Sequence, residues 1–338
     1  MIKEAIETLV SGNSLNFEQA AGSMEEIMSG EATPAQIAAF VTALRIKGET
    51  VDEIAGLASV MRAKAIPVKA TPPVVDTCGT GGDNCSSINI STAAAFVVAG
   101  TGLKVAKHGN RAMTSRCGSA DVLEALGVKI DLGAEAVAEC LEKVGIGFMF
   151  APIFHPAMKH AAGPRREIGI RTVFNILGPL TNPARAESQV IGVPGEELGN
   201  KMAAVLHRLG TKHSLVVHGR NGMDEISISG RSLIWEVTQD KVSPPYEVSP
   251  PYFGFKEASL AKVKGGTPED NANVLRRVLN GEKGPCRDVV VMNAAAALLA
   301  GNRASDLKEG ARLAEEAIDS GQAREKLEGL VRLSQNLG

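Results

Sequence analysis

Six short stretches of this 338-residue chain hold the side chains that could do chemistry. GTGGD at 79–83 closes a β-prone run with glycines and an acid, and NIST at 89–92 sets two hydroxyls, Ser91 and Thr92, ahead of an alanine-rich segment. KHGNR at 107–111 gathers cations and an amide. His155 stands before Pro156, Arg165 beside Arg166, and Asp224 beside Glu225. Glycines between a strand end and a helix start let backbone N–H groups face a phosphate. The dinucleotide fingerprint would need glycine at 84, where Asn84 stands, and the Walker pattern would also need lysine at 85, where Cys85 stands. What remains is a different glycine loop, equally a tight turn or a ligand cradle. The Ser91 and Thr92 hydroxyls can cap a helix, bind phosphate oxygen or ligate a hard cation.

The stretch 107–121 carries four groups that can be cationic, an amide and several hydroxyls just after a β-prone run, where ligands of open parallel sheets collect. Adjacent acids on a loop are usually solvated. Opposite a diphosphate cradle, however, Asp224 and Glu225 suit Mg²⁺, which keeps waters and bridges carboxylate to phosphate. His155 and Arg165 could supply a carboxylate-binding surface through a bidentate guanidinium. His160, His207, His213 and His218 show no ligand spacing and are expected to be structural or exposed.

The elements that must position these residues follow from periodicity and punctuation. Residues 1–64 predict four short helices. Ile2, Ala5, Ile6, Leu9 and Val10 mark one buried face, and Asn16, Thr33 with Pro34, and Thr50 cap the next three. The proline-punctuated stretch 64–73 predicts a linker or hinge. β-prone runs at 74–76, 103–106, 146–150, 188–193 and 214–218 then alternate with helical stretches, predicting a mostly parallel sheet covered on both faces. Residues 227–237 are expected to add edge strands. Helices are expected at 268–279, 288–299 and from 304 onward. The tandem VSPPYEVSPPYF at 242–253 holds both tyrosines and four prolines, which forbid a central strand or helix; a surface loop is expected.

Composition narrows the classes. Lys plus Arg is 36 against 38 for Asp plus Glu, a formal charge of −2, so no general nucleic-acid footprint exists and a polyanion must be held locally. With 36 glycines and 4% aromatics, tight backbone approaches are expected and binding by aromatic stacking is not. The N-terminus lacks a signal-peptide run, and no apolar stretch approaches membrane-span length. A soluble cytoplasmic protein is expected. Five cysteines without a C-x-x-C pair predict reduced thiols rather than disulfides or zinc.

Taken in order, GTGGD, NIST, KHGNR, GSAD at 118–121, HP, RTVFNILGPLTNP at 171–183 and DE at 224–225 resemble the anthranilate phosphoribosyltransferases. The resemblance runs nearly end to end. It implies a homodimer that transfers the phosphoribosyl group of 5-phosphoribosyl 1-diphosphate to the amine of anthranilate, a step of tryptophan biosynthesis, with Mg²⁺ as cofactor. It also implies an α/β fold in which a small N-terminal helical domain is hinged to a larger α/β domain with a mostly parallel central sheet. The helical domain would comprise 1–64 completed by helices around 165–185, and the α/β domain 74–338. By motif match Gly79, Gly82, Asp83, Ser87, Asn89, Ile90, Ser91, Thr92, Lys107 and Ser119 would hold the phosphoribosyl diphosphate. Gly79, His108, Asn110, His155 and Arg165 would contact anthranilate or line its entry. Ser91, Asp224 and Glu225 would hold Mg²⁺, and no side chain is implied as a covalent or acid–base catalyst. Position 84, often glycine in this family, is Asn84, which tolerates left-handed backbone.

Two alternatives remain at this point. A pyrimidine nucleoside phosphorylase has a similar hinged architecture but would not need the acid pair for inorganic phosphate. A non-catalytic relative could bind a phosphorylated ligand without turnover.

Overall fold

Capping side chains set the first helices: α1 (Ile2–Val10), α2 (Phe17–Ser29), α3 (Pro34–Lys47) and α4 (Val51–Lys64). The computed structural model describes residues 1–83, 85–112 and 116–338. Asn16, Thr33 and Thr50 each accept from the amide three residues on, and the side chains of Gln19, Gln36 and Glu53 return to the cap amides. These reciprocal bonds satisfy donors that a helix start otherwise leaves open. Glu53 does more than cap. It is buried, takes the Leu15 amide at 2.9 Å and pairs with Lys47 at 2.9 Å, tying the α1–α2 connection to α4. Residues 65–73 form no helix, as expected of a linker, and are tethered where Ile66 N–H donates to the Phe154 carbonyl and Val68 N–H to that of Pro183.

Next in chain order come β1 (Val74–Gly79), α5 (Ile90–Gly100), β2 (Lys104–Gly109), α6 (Ser119–Ala125), α7 (Ala134–Lys143) and β3 (Ile146–Phe150). They are followed by α8 (Ala151–Phe154), α9 (Lys159–Ile168), α10 (Phe174–Leu177), β4 (Ser188–Gly192), α11 (Glu196–Arg208), β5 (His213–Gly219), β6 (Ser232–Thr238) and β7 (Tyr246–Val248). The chain closes with α12 (Pro268–Leu279), α13 (Pro285–Ala300), α14 (Leu307–Asp319) and α15 (Gln322–Asn336).

Among the described residues one seven-stranded sheet has the order β3-β2-β1-β4-β5-β6-β7. The first five strands are parallel, and β6 and β7 run antiparallel at one edge. From β1 the chain winds outward through β2 to β3, whereas β4 pairs on the other side of β1. The strand order therefore reverses between β1 and β4, and the crevice beyond their carboxyl ends is where such sheets bind ligands.

Alternation assigns the two faces of the sheet. Val190, Leu215, Val217 and Ile234 point to a core shared with α5 and α13, while Ile191, Val216, Leu233, Trp235 and Val237 point the other way. That second core also holds Met202 and Leu206 of α11, the apolar faces of α1–α4, and Ala161, Val173, Phe174 and Leu177. The helical bundle is thus continuous with one covered face of the sheet.

Two expectations are adjusted. Of the residues 227–237 expected at an edge, only those from Ser232 onward form a strand. The proline tandem is not all loop. Tyr246–Val248 pairs on the edge of β6 between its proline pairs, Pro250–Phe253 forms a 3₁₀ turn, and Pro250 and Phe253 are buried. An edge strand spares proline the missing ladder donor, which is why a short one fits here.

Candidate active site

β1 and β2 extend further than the β-prone runs suggested, so Gly79 ends β1 and Lys107, His108 and Gly109 are strand residues. Gly79 and Gly192 are register partners at the ends of β1 and β4. A Cβ on Gly79 would lie 2.3 Å from Asp224 Oδ2, and one on Gly192 only 1.5 Å from the Asp224 carbonyl oxygen. Two facing glycines thus make a floor on which Asp224 rests, at the reversal point of the sheet.

The glycine loop closes over that floor. Gly81 N–H donates to Asp224 Oδ2 at 2.8 Å, and Gly81 and Gly82 adopt φ of +68° and +82° that L side chains avoid. Arg171 donates to the carbonyls of Thr80 and Gly81 at 3.1 and 3.0 Å, and its guanidinium fills the space a Cβ on Gly82 would need. Asp83 accepts from Cys85 N–H at 3.1 Å. Asn84, and Met113, Thr114 and Ser115 of the 107–121 stretch, lie outside the described residues.

α5 starts at Ile90 with Asn89 as its N-cap but without a side-chain cap bond. Ser91 and Thr92 therefore lie in the first turn, and their hydroxyls are not spent on capping. Ser91 N–H donates to Glu225 Oε1 at 3.2 Å, and its Oγ is 3.4 Å from Lys107 Nζ. Thr92 is buried, and among the described residues neither its Oγ1 nor that of Thr80 has a hydrogen-bond partner. The Ile90 side chain belongs to the core and its N–H bonds the Ile88 carbonyl. The Asn89 side chain is occupied by the Cys117 carbonyl and Asn271. Ser87 pairs in a β-bridge with Lys264, beside Gly265.

Lys107 is buried beneath the loop and donates to the Thr77 carbonyl at 2.6 Å. Asp76 is also buried, accepting from His108 N–H at 3.3 Å and Asn182 Nδ2 at 2.7 Å. Burial lowers the Lys107 ammonium and raises the Asp76 carboxyl, each opposed by the charge of the other. Burial, then the neighbouring Asp83, raises Asp224 to about 7, and burial followed by Asp224 lifts Glu225 well above the carboxylate range. Among the described residues no Lys or Arg lies within ion-pair distance of Asp83, Asp224 or Glu225. Three crowded carboxyls without a paired cation are an electrostatic deficit that a divalent ion would relieve.

A second cluster lies past β2 and β3. The His108 and His155 rings stand 5.0 Å apart, both buried, and among the described residues neither Nε2 has a partner. Burial pushes His108 down to about 3 and His155 to about 4, so both imidazoles are neutral near pH 7. The Asn110 carbonyl accepts from Ala120 N–H, and Ser119 Oγ reaches it at 3.4 Å. Asp121 bonds the amides of Ala112 and Gly118, pinning α6 to the KHGNR turn. Arg165, on α9, stacks over Phe174 at 5.1 Å, is shielded enough for burial to lower it, and has no ion pair among the described residues. The other histidines are structural where they are bonded: His213 joins Asn302 and Glu236, and His218 joins the Val193 carbonyl.

The glycine loop, the first turn of α5, Lys107 and the acid pair are thus brought together. Sequence reasoning gave no role to Arg171, Gly192 or Thr80. Arg171 opens the RTVFNILGPLTNP motif, which was the one available signal.

Comparisons with known proteins give the family. A family described as "Glycosyl transferase family, helical bundle domain" matches residues 3–65, and "Glycosyl transferase family, a/b domain" matches 71–324. The anthranilate phosphoribosyltransferase of Dehalococcoides mccartyi is 60% identical over 338 residues, covering 100% of this chain and 99% of that protein. The Thermus thermophilus enzyme of that name superposes with a TM-score of 0.93 at 45% identity, covering 98% of this chain and 99% of that one. The Saccharomyces cerevisiae enzyme in complex with PRPP and Mg gives 0.91 at 29% identity, covering 99% and 98%. The yeast enzyme in complex with 4-fluoroanthranilate gives 0.88 at 28%, with the same coverage. The phosphorylase alternative falls to the full-length identity with enzymes of the other activity, and the chain belongs to the anthranilate phosphoribosyltransferase family.

Proposed function

We propose that the crevice between β1 and β4 is where this chain moves the phosphoribosyl group of 5-phosphoribosyl 1-diphosphate to the amine of anthranilate. The observation that supports this most directly is the convergence of distant segments. Asp224 and Glu225 stand 143 and 134 residues from the amides of Gly81 and Ser91 that bond them. In the reaction the bond from ribose C1 to diphosphate breaks, the amine nitrogen bonds to C1, and the amine gives up a proton. Positive charge grows on the sugar and negative charge on the leaving group, so fixed donors and cations at the diphosphate are the largest lever on rate.

Gly79, Gly82, Asp83, Ser87, Asn89, Ile90, Ser91, Thr92, Lys107 and Ser119 are assigned to the phosphoribosyl diphosphate. Ile90 acts through its backbone, since its side chain is in the core. The unpartnered hydroxyls of Thr80 and Thr92 are donors held ready in that cradle. Ser91, Asp224 and Glu225 are assigned to Mg²⁺, which when bound draws charge from the departing diphosphate. Among the described residues no three His, Cys, Asp or Glu side chains form a protein-only metal cage. That leaves coordination places for phosphate and water, as Mg²⁺ prefers. Gly79, His108, Asn110, His155 and Arg165 are assigned to anthranilate. The unpaired, shielded guanidinium of Arg165 suits its carboxylate, and the neutral imidazoles give a polar wall without added charge.

The domain division at 1–64 with 165–185, against 74–338, is proposed on the packing of α1–α4 with Val173, Phe174 and Leu177, in a core that runs on through α11 into one face of the sheet. Hinge motion at 64–73 would close the two substrates away from water. A homodimer is supported by Val10 of α1 and Ile46 of α3, 69% and 82% exposed on packed helices, and analytical ultracentrifugation tests it. Among the described residues no helix is long and apolar enough to cross a membrane. A cytoplasmic setting is assigned. The decisive assay follows anthranilate fluorescence. Its loss should require both the ribosyl diphosphate and Mg²⁺, and consumption without either one would contradict the proposal.

A further inference from the structure

Asn293 lies in the middle of α13, only 3% exposed, among alanines, valines and leucines. A carboxamide there is costly unless every donor and acceptor is used. Its Oδ1 accepts from Ile226 N–H at 2.9 Å, and its Nδ2 donates to the Ile226 carbonyl at 2.9 Å. The second Nδ2 hydrogen goes to the Val289 carbonyl, one turn back on the same helix, also at 2.9 Å. The amide thus grips both backbone groups of one residue while braced against its own helix. Ile226 immediately follows Glu225.

The acid pair has no regular structure of its own, since Met223 to Ser229 lie between β5 and β6 outside any helix or strand. Its backbone is held from two sides. The paired glycines 79 and 192 fix Asp224 from below, because the Asp224 carbonyl already fills the space a Gly192 Cβ would take. Asn293 fixes the following residue from the helix layer. With the main chain pinned at 224 and again at 226, the Glu225 side chain starts from a fixed point, and its Oε1 is found accepting from Ser91 N–H. We infer that Asn293 is a positioning residue for the metal-binding acid pair, setting where the Glu225 carboxylate stands before any ion arrives.

This rests on the assignment of Mg²⁺ to Asp224 and Glu225, and the test separates the two. Titration calorimetry of the ribosyl diphosphate at a series of Mg²⁺ concentrations, with Mn²⁺ binding read by electron paramagnetic resonance, is run on the wild-type chain, Asn293→Ala and Asn293→Asp. If the wild type binds the diphosphate substrate with no dependence on metal, the metal assignment itself fails. If the wild type depends on metal, both variants should need at least tenfold more Mg²⁺ for half-maximal binding and show weakened Mn²⁺ signals. Their anthranilate KM should stay within twofold and a single cooperative melting transition should remain. The Asp variant keeps the acceptor for Ile226 N–H but sets its second oxygen against the Ile226 and Val289 carbonyls, so it should melt no higher than the Ala variant. An unchanged metal titration in a folded variant would overturn the inference. So would an equal loss for anthranilate, or loss of the melting transition in both variants, which would make Asn293 a general core residue.

Discussion

Replacing Gly79 by alanine isolates one contact of the site. The residue is not in the left-handed region, so alanine brings no backbone strain, and the β1–β4 ladder fixes where its methyl must go. That methyl would stand 2.3 Å from Asp224 Oδ2 and 2.9 Å from its Cγ, whereas comfortable contact begins near 3.4 Å. The carboxylate must therefore retreat by about 1 Å. The Gly81 N–H···Oδ2 bond, now 2.8 Å, would then open past hydrogen-bonding range. Loss of a charge-assisted bond is worth about 1.5–3 kcal/mol, which corresponds to roughly 10–150-fold in affinity. We expect Gly79→Ala to weaken Mg²⁺-dependent binding of the ribosyl diphosphate by that factor in calorimetry and to raise the Mg²⁺ needed for half-maximal rate. The melting temperature should fall as well, because the bond lost belongs to the folded chain, by roughly 2 °C per kcal/mol. Unaltered diphosphate-substrate affinity would show that Asp224 is not held where the reasoning requires it.

Arg165→Ala should raise the anthranilate KM by about 10-fold or more, the value of one charge-assisted guanidinium contact, while the KM for the ribosyl diphosphate changes less than threefold; equal shifts in both constants would remove Arg165 from the aromatic-acid side. The His108 and His155 pair makes a prediction about acid stability. Their folded values, about 3 and about 4, lie below the usual imidazole value, so between pH 6.5 and 4 the unfolded chain binds protons that the folded chain does not. Stability therefore falls as pH falls through that window, by about 1.4 kcal/mol per imidazole at pH 5.5 and roughly 3 kcal/mol for the pair. Urea unfolding at pH 8 and 5.5 should show the double variant His108→Gln, His155→Phe losing that much less than wild type, and parallel losses in the two proteins would refute buried neutral rings.

The sequence alone determined what depends on local chemistry. Caps at Asn16, Thr33 and Thr50 were readable because a side chain three residues from its partner amide bonds it wherever the chain goes. The strand alternation was readable because burial on both faces leaves unbroken apolar runs. KHGNR and the hydroxyls after it were legible as a candidate site because a turn alone needs no such cations, whereas GTGGD and the acid pair by themselves read equally as a tight turn and solvated loop acids. Tertiary structure decided what depends on separation. Gly192 is an ordinary strand-end glycine until β4 pairs with β1 and Asp224 lands on it. Arg171 becomes a brace of the glycine loop only across 90 residues of chain, and Asn293 meets Ile226 across 67. The hydroxyls of Ser91 and Thr92, ambiguous in the sequence, were freed from capping by where α5 begins. Their partners are distant in the chain and their energies arise from burial, and neither separation nor burial is written in the order of residues until the sheet closes on itself.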